Sequence, residues 1–105
     1  MSKRRLALGK TARRALAMIA EHGPLQLSHG TRYAEMSASV IRVMQSTNYL
    51  LRSSGMVEWA GGNHDRWQVR ITEYGQECLL RGTRDPSHRV RFSDSYGPAL
   101  DQVKA

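Results

Sequence analysis

The chain has one cysteine, Cys78, so no internal disulfide can form and the fold must be held by packing. It contains no apolar run approaching the roughly 18 residues that a membrane span needs. Its basic N-terminus leads into an amphipathic stretch rather than a signal-peptide core, so a cytoplasmic protein is expected. The residues of catalysis and metal binding are thinly spread: His22, His29, His64 and His88 occur singly, and there is no CxxC, HxxxH or pair of carboxylates on a common helical face. No metal, no cofactor and no enzymatic activity are expected. The stretch "AGGN" at 60 to 63 lacks the Lys-Ser/Thr and the strand-to-helix setting of a phosphate loop. Acidic residues are also scarce, 9 against 16 Lys and Arg, which leaves a net charge of +7 and an isoelectric point near 10.3. Such an excess suits a polyanionic partner.

What is present is an ordinary globular mixture, 40% apolar and 24% charged, in 105 residues. That is enough for one domain burying roughly 65% of its unfolded surface. Residues 1 to 10 form a basic arm; Lys3, Arg4, Arg5, Lys10, Arg13 and Arg14 follow one another to residue 14 without an acid. From Thr11, a residue suited to an N-cap, Ala12, Ala15, Leu16, Ile19 and Ala20 recur at helical spacing until Gly23-Pro24, which predicts a helix at about 11 to 22. "PLQLS" is too short for a strand standing alone, although Leu25 and Leu27 alternate with polar residues, and a short helix is expected around Thr31 to Met36. From Ser39, the residues Val40, Val43, Met44, Thr47, Leu50 and Leu51 make one stripe of a 3.6-residue period, ended by Gly55. This predicts a helix at about 39 to 53. Its opposite side carries Arg42, Gln45, Ser46, Tyr49 and Arg52 and no acid.

The segment "MVEWAGGNHDRWQVRITEYGQECLL", 56 to 80, reads as a two-stranded ribbon and a helix. With a loop at Gly61 to Asp65, Ala60 faces Arg66, Trp59 faces Trp67 and Val57 faces Val69. Val57, Trp59, Trp67, Val69 and Ile71 then share one face, and Glu58, Arg66, Gln68 and Arg70 the other. Thr72 caps a helix ending near Gly82, in which Tyr74 and Cys78 turn inward and Gly75 permits close backbone approach. Residues 83 to 105 carry few large apolar residues and read as a polar tail, flexible or ordered by a partner.

Two stretches, "LRSSGMVEWA" at 51 to 60 and "VRITEYGQECL" at 69 to 79, carry a family resemblance. The first has a Leu, three residues, then Gly and two apolar residues. The second has an apolar residue, Thr, two residues and Gly. Residues 11 to 82 therefore resemble a winged helix-turn-helix domain of small prokaryotic and phage transcriptional regulators, including the MarR-like group. The resemblance implies an α+β, mostly α fold: a three-helix core, a two-stranded β-wing and a following C-terminal helix. It implies sequence-specific binding of double-stranded DNA by a transcriptional regulator, a repressor that occludes its promoter, with the helix at 39 to 53 in the major groove.

Arg42, Gln45, Ser46 and Tyr49 are then the candidates for base edges and adjacent phosphates, since Arg and Gln can read bases bidentately. Arg52, Lys10, Arg13 and Arg14 are the candidates for the backbone, and the wing tip at 61 to 66, with Asn63, His64 and Arg66, for the backbone or the minor groove. A homodimer on a palindromic site is expected, with half-sites roughly 10 bp apart or a multiple of that. The alternatives are a protein–protein adaptor, or a replication or recombination accessory factor of a phage or plasmid. Charge alone does not separate DNA from RNA, although neither an RRM aromatic signature nor a KH-type loop is present.

Overall fold

The computed structural model describes residues 5 to 30, 34 to 37, 39 to 62 and 68 to 90. In chain order the elements are β1 (Leu6–Ala7), α1 (Lys10–His22), β2 (Leu25–His29), β3 (Glu35–Ser37), β4 (Val40–Val43), α2 (Gln45–Ser53), β5 (Val57–Gly61), β6 (Gln68–Ile71), α3 (Glu73–Arg81) and β7 (Thr83–Arg84). Five strands form one mixed sheet in the order β3-β4-β2-β6-β5, and β1 pairs with β7 in a separate antiparallel ribbon. This corrects the mostly α expectation: the domain is α+β with a five-stranded sheet, and the two strands taken for an isolated wing are one end of it.

The correction lies in residues 34 to 43. The helix expected at 39 to 53 begins only at Gln45, and Val40–Val43 is a strand, parallel to β2 with Leu27 beside Ile41. In "VIRV" three of four residues are β-branched, and their alternation sends Ile41 and Val43 into the core while Val40 and Arg42 face outward. Val40 and Val43 satisfy a helical spacing equally well, and in four residues the two periods cannot be told apart. Met44, placed on the buried stripe of the expected helix, is 41% exposed. The short helix expected around Thr31 to Met36 is likewise overturned: Glu35–Ser37 is an edge strand antiparallel to β4, and residues 31 to 33 lie outside the described set. β2 does not stand alone, because β4 and β6 flank it on both sides.

Other expectations hold with small shifts. α1 starts at Lys10 behind Gly9 rather than behind Thr11, and it buries Ala12, Ala15, Leu16 and Ile19 as its periodicity requires, while Ala20, counted in the same spacing, is exposed. The ribbon register is offset by two residues: Val57 pairs with Ile71, Glu58 with Arg70 and Trp59 with Val69, with an irregularity between Trp59 and Gly61. An even offset leaves the faces unchanged, so Val57, Trp59, Val69 and Ile71 still share the inner one. The Arg70 Nε donates to Glu58 at 2.8 Å across that register. Trp67, the expected partner of Trp59, lies outside the described residues.

One face of the sheet supplies Leu25, Leu27, Ile41, Val43, Val57 and Val69 to the core, where they meet Leu16 and Ile19 of α1, Leu51 of α2 and Cys78 of α3. The other face carries Gln26, Ser28, Arg42, Glu58, Gln68 and Arg70. Arg42 belongs to this second face, opposite Glu35 and Ser28.

The two motif stretches meet in space. Thr72 Oγ1 donates to the Gly55 carbonyl at 2.6 Å and accepts from the Gly75 N–H at 3.0 Å, and the Thr72 N–H donates to the Met56 carbonyl. One threonine thus caps α3 and clasps the turn after α2. Thr72→Val keeps the shape and removes both hydroxyl bonds. It is expected to cost about 1–2 kcal/mol in chemical denaturation, while Thr72→Ser stays near wild type.

Candidate nucleic-acid interface

Helix α2 follows from a local accounting of its ends. Its last carbonyls are all satisfied: Leu50 by the Ser54 N–H, Leu51 by Met56, Arg52 by Gly55, and Ser53 by the Val90 N–H at 2.8 Å. The Ser54 carbonyl accepts from the His88 Nδ1 at 2.8 Å. Gly55, at φ +75°, reverses the chain directly into β5. The opposite end is different. Met44 is the N-cap, among the described residues no side chain caps the first amides, and no acid lies in the first turn.

That open end carries Gln45 and Ser46, both exposed, and one turn on stands Tyr49, 54% exposed. Gln45, Ser46 and Tyr49 therefore form one outward group, within a run from Met36 to Val57 that holds no Asp or Glu. Of the five residues assigned to the reading surface, these are the three that α2 brings together. Arg42 sits before the helix on the sheet's outer face, half-buried, and Gly30 packs against its side chain. Arg52 is only 5% exposed, and its Nη1 donates to Asn48 Oδ1 at 3.4 Å, so its position on α2 does not put it on the exposed face.

The other assigned residues scatter. Lys10, Arg13 and Arg14 are exposed on the first turns of α1, again without an acid there. The Arg13 guanidinium lies beside Gly82, about 3.5 Å from where a Cβ would stand, at the C-terminal end of α3, where its charge suits the helix dipole. Asn63, His64 and Arg66 lie outside the described residues. Part of the basic arm is tied down: Leu6–Ala7 pairs with Thr83–Arg84, and Arg5 donates to Thr83 and lies 3.9 Å from Glu77.

The cluster that sequence reasoning missed lies behind α2. Asp85 to His88 makes a turn closed by the His88 N–H on the Asp85 carbonyl, with Pro86 in its second position, and Ser87 donates twice to Asp85 Oδ1. The Asp85 N–H donates to the Tyr74 hydroxyl at 2.8 Å, and that hydroxyl donates back to the Asp85 carbonyl at 3.2 Å. The Tyr74 and His88 rings stack 3.7 Å apart and within 11° of parallel. Burial pushes the Tyr74 phenol above its ordinary range, against a smaller opposite pull from the Asp85 backbone. Because a carbonyl only accepts, His88 must carry its hydrogen on Nδ1 to bond Ser54. "RDPSH" offered a turn signal at 84 to 88, but nothing in it named the surface on which the turn would land.

Among the described residues no group of three or more His, Cys, Asp and Glu is placed to hold a metal ion, and no helix is long and apolar enough to cross a membrane. Comparison of the chain with protein-family models, with curated proteins and with solved structures gives no match in any of the three.

Proposed function

We propose that this protein binds double-stranded DNA and regulates transcription, as a repressor, with α2 entering the major groove. The observation that carries the reading is the exposed group Gln45, Ser46 and Tyr49 at the uncapped, acid-free end of a helix anchored at its other end. An α-helix with its side chains is about 10–12 Å across, which a major groove about 12 Å wide admits. Gln45 can pair with a base edge bidentately, and Ser46 and Tyr49 can donate to bases or phosphates. The net charge of +7, with Lys10 and Arg14 exposed on α1, supplies sequence-independent attraction.

The resemblance to winged helix-turn-helix regulators enters this proposal through element order. In chain order α2, the strands β5 and β6 and then α3 follow one another, the order that the resemblance implies, with β5 and β6 part of the five-stranded sheet rather than a separate wing. A β-hairpin, β3–β4, stands where it places the preceding helix. Pairing of two copies on a palindromic site is part of the proposal, since one short helix reads too few base pairs for specificity.

The test is binding to random-sequence duplex at two salt concentrations, followed by selection of bound fragments from a random pool. Binding is expected at low salt, with log K falling by about 0.9 per phosphate contact for each decade of salt. On the selected site, Gln45→Ala is expected to cost about 1–3 kcal/mol and relax one position, whereas Lys10→Ala with Arg14→Ala weakens all sequences alike. Absence of duplex binding at low salt would end the reading.

A further inference from the structure

We propose that residues 85 to 90 are a strap that sets the position of α2, and that Tyr74 and His88 are positioning residues for its exposed Gln45–Ser46–Tyr49 face. The consequence for DNA rests on the function proposed above; the strap itself does not.

The argument starts from where α2 is held. Among the described residues no side chain caps its N-terminal turn, whereas its C-terminal end and its buried side are held. Two carbonyls at that end, Ser53 and Ser54, have their partners on the strap, Val90 N–H and His88 Nδ1. Gly55 leaves no room to spare: a Cβ there would lie 3.0 Å from Val90 Cγ1 and 3.1 Å from His88 Cε1. The strap is in turn fixed to α3, by the reciprocal Tyr74–Asp85 bonds and the Tyr74–His88 stack. A continuous path therefore runs from α3 through Tyr74 and His88 to the last turn of α2. It is independent of the Thr72 clasp, which holds the next two carbonyls, Gly55 and Met56, from α3 directly. The clasp holds the chain just after α2 and the core holds Leu51; the strap adds the Ser53 and Ser54 carbonyls, a second anchor at the helix end beside that packing.

The test uses the full chain with His88→Ala, Tyr74→Phe and both together, read by amide hydrogen exchange and by affinity for random-sequence duplex. His88→Ala removes the stack and the Ser54 bond; Tyr74→Phe keeps the stack and removes the Asp85 bonds. His88→Asn places an amide N–H near the former Nδ1 and is expected to restore part of the Ser54 bond. The expected result is a loss of exchange protection of at least tenfold in the last turn of α2 and at Gly55 and Met56, while α1 and β2 stay protected. Duplex affinity falls about tenfold at each salt concentration with an unchanged salt slope, because no phosphate contact is removed. Protection lost evenly across the domain, or unchanged in α2, overturns the strap. If the wild-type protein binds no duplex, the DNA reading fails and the exchange pattern still decides the strap.

Discussion

Replacing Gly75 by Ala is expected to destabilise the domain by about 2 kcal/mol or more, although alanine is the better helix former. Two effects of opposite sign compete. Relieving the backbone freedom of a glycine inside a helix gains about 1 kcal/mol. Against that, a Cβ at Gly75 would collide with the Met56 carbonyl oxygen and come within 2.8 Å of Ile71 Cγ1. The Met56 carbonyl cannot retreat, because it accepts from the Thr72 N–H, and Met56 itself is fully buried. Overpacking of a rigid contact costs about 3 kcal/mol, so the clash wins. For a domain of this size the midpoint of thermal unfolding should fall by roughly 10 °C. Gln76→Ala, one residue on and exposed, is the control and should stay near wild type. A Gly75→Ala variant as stable as wild type would mean that α3 and the Met56 turn do not approach as closely as described.

Acidic residues placed in the first turn of α2 should move stability and DNA binding in opposite directions. That turn has no acid and no side-chain cap, so Gln45→Glu and Ser46→Glu each add a negative charge where the helix dipole favours one. The gain is about 0.3–1 kcal/mol apiece. The double variant should therefore unfold at a slightly higher denaturant concentration than wild type. If α2 faces the duplex, the same two charges confront phosphates, and affinity should fall roughly a hundredfold, about 1.4 kcal/mol for each residue. Gln76→Glu on α3, which adds a negative charge away from α2, separates the local effect from the drop in net charge and should weaken binding only slightly. The opposed signs are the diagnostic feature: a misfolded variant loses both properties, and a helix that does not touch DNA loses neither. Full duplex affinity in the double variant would remove α2 from the proposed interface.

Much of the frame was legible in the residues. The stripe of Ala12, Ala15, Leu16, Ile19 and Ala20 gave α1, and the alternation read along 57 to 60 and 66 to 71 gave the ribbon and, for its described residues, its two faces. Thr72, Gly75 and Gly82 marked both ends of α3 and its close contact. These are local signals: an amphipathic period, a capping hydroxyl and a positive φ are properties of a few neighbouring residues. The candidate site was legible in part. Gln45, Ser46 and Tyr49 do share an exposed helical face, while Arg42 and Arg52 were assigned to it from a helix that began six residues too early and from an angle that says nothing of burial.

The sequence by itself determined the charge, the amphipathic faces and the turns, because each depends on side chains close together along the chain. Tertiary structure alone decided that Val40–Val43 is a strand and that Asp85–Val90 supports α2. Four residues that fit either period take the one whose backbone groups find partners, and here Leu25–His29 supplies a strand to pair with. The strap is likewise invisible locally, since the Ser53 and Ser54 carbonyls and the residues that satisfy them lie more than thirty positions apart. Such bonds form only once the core has brought both ends to the same place.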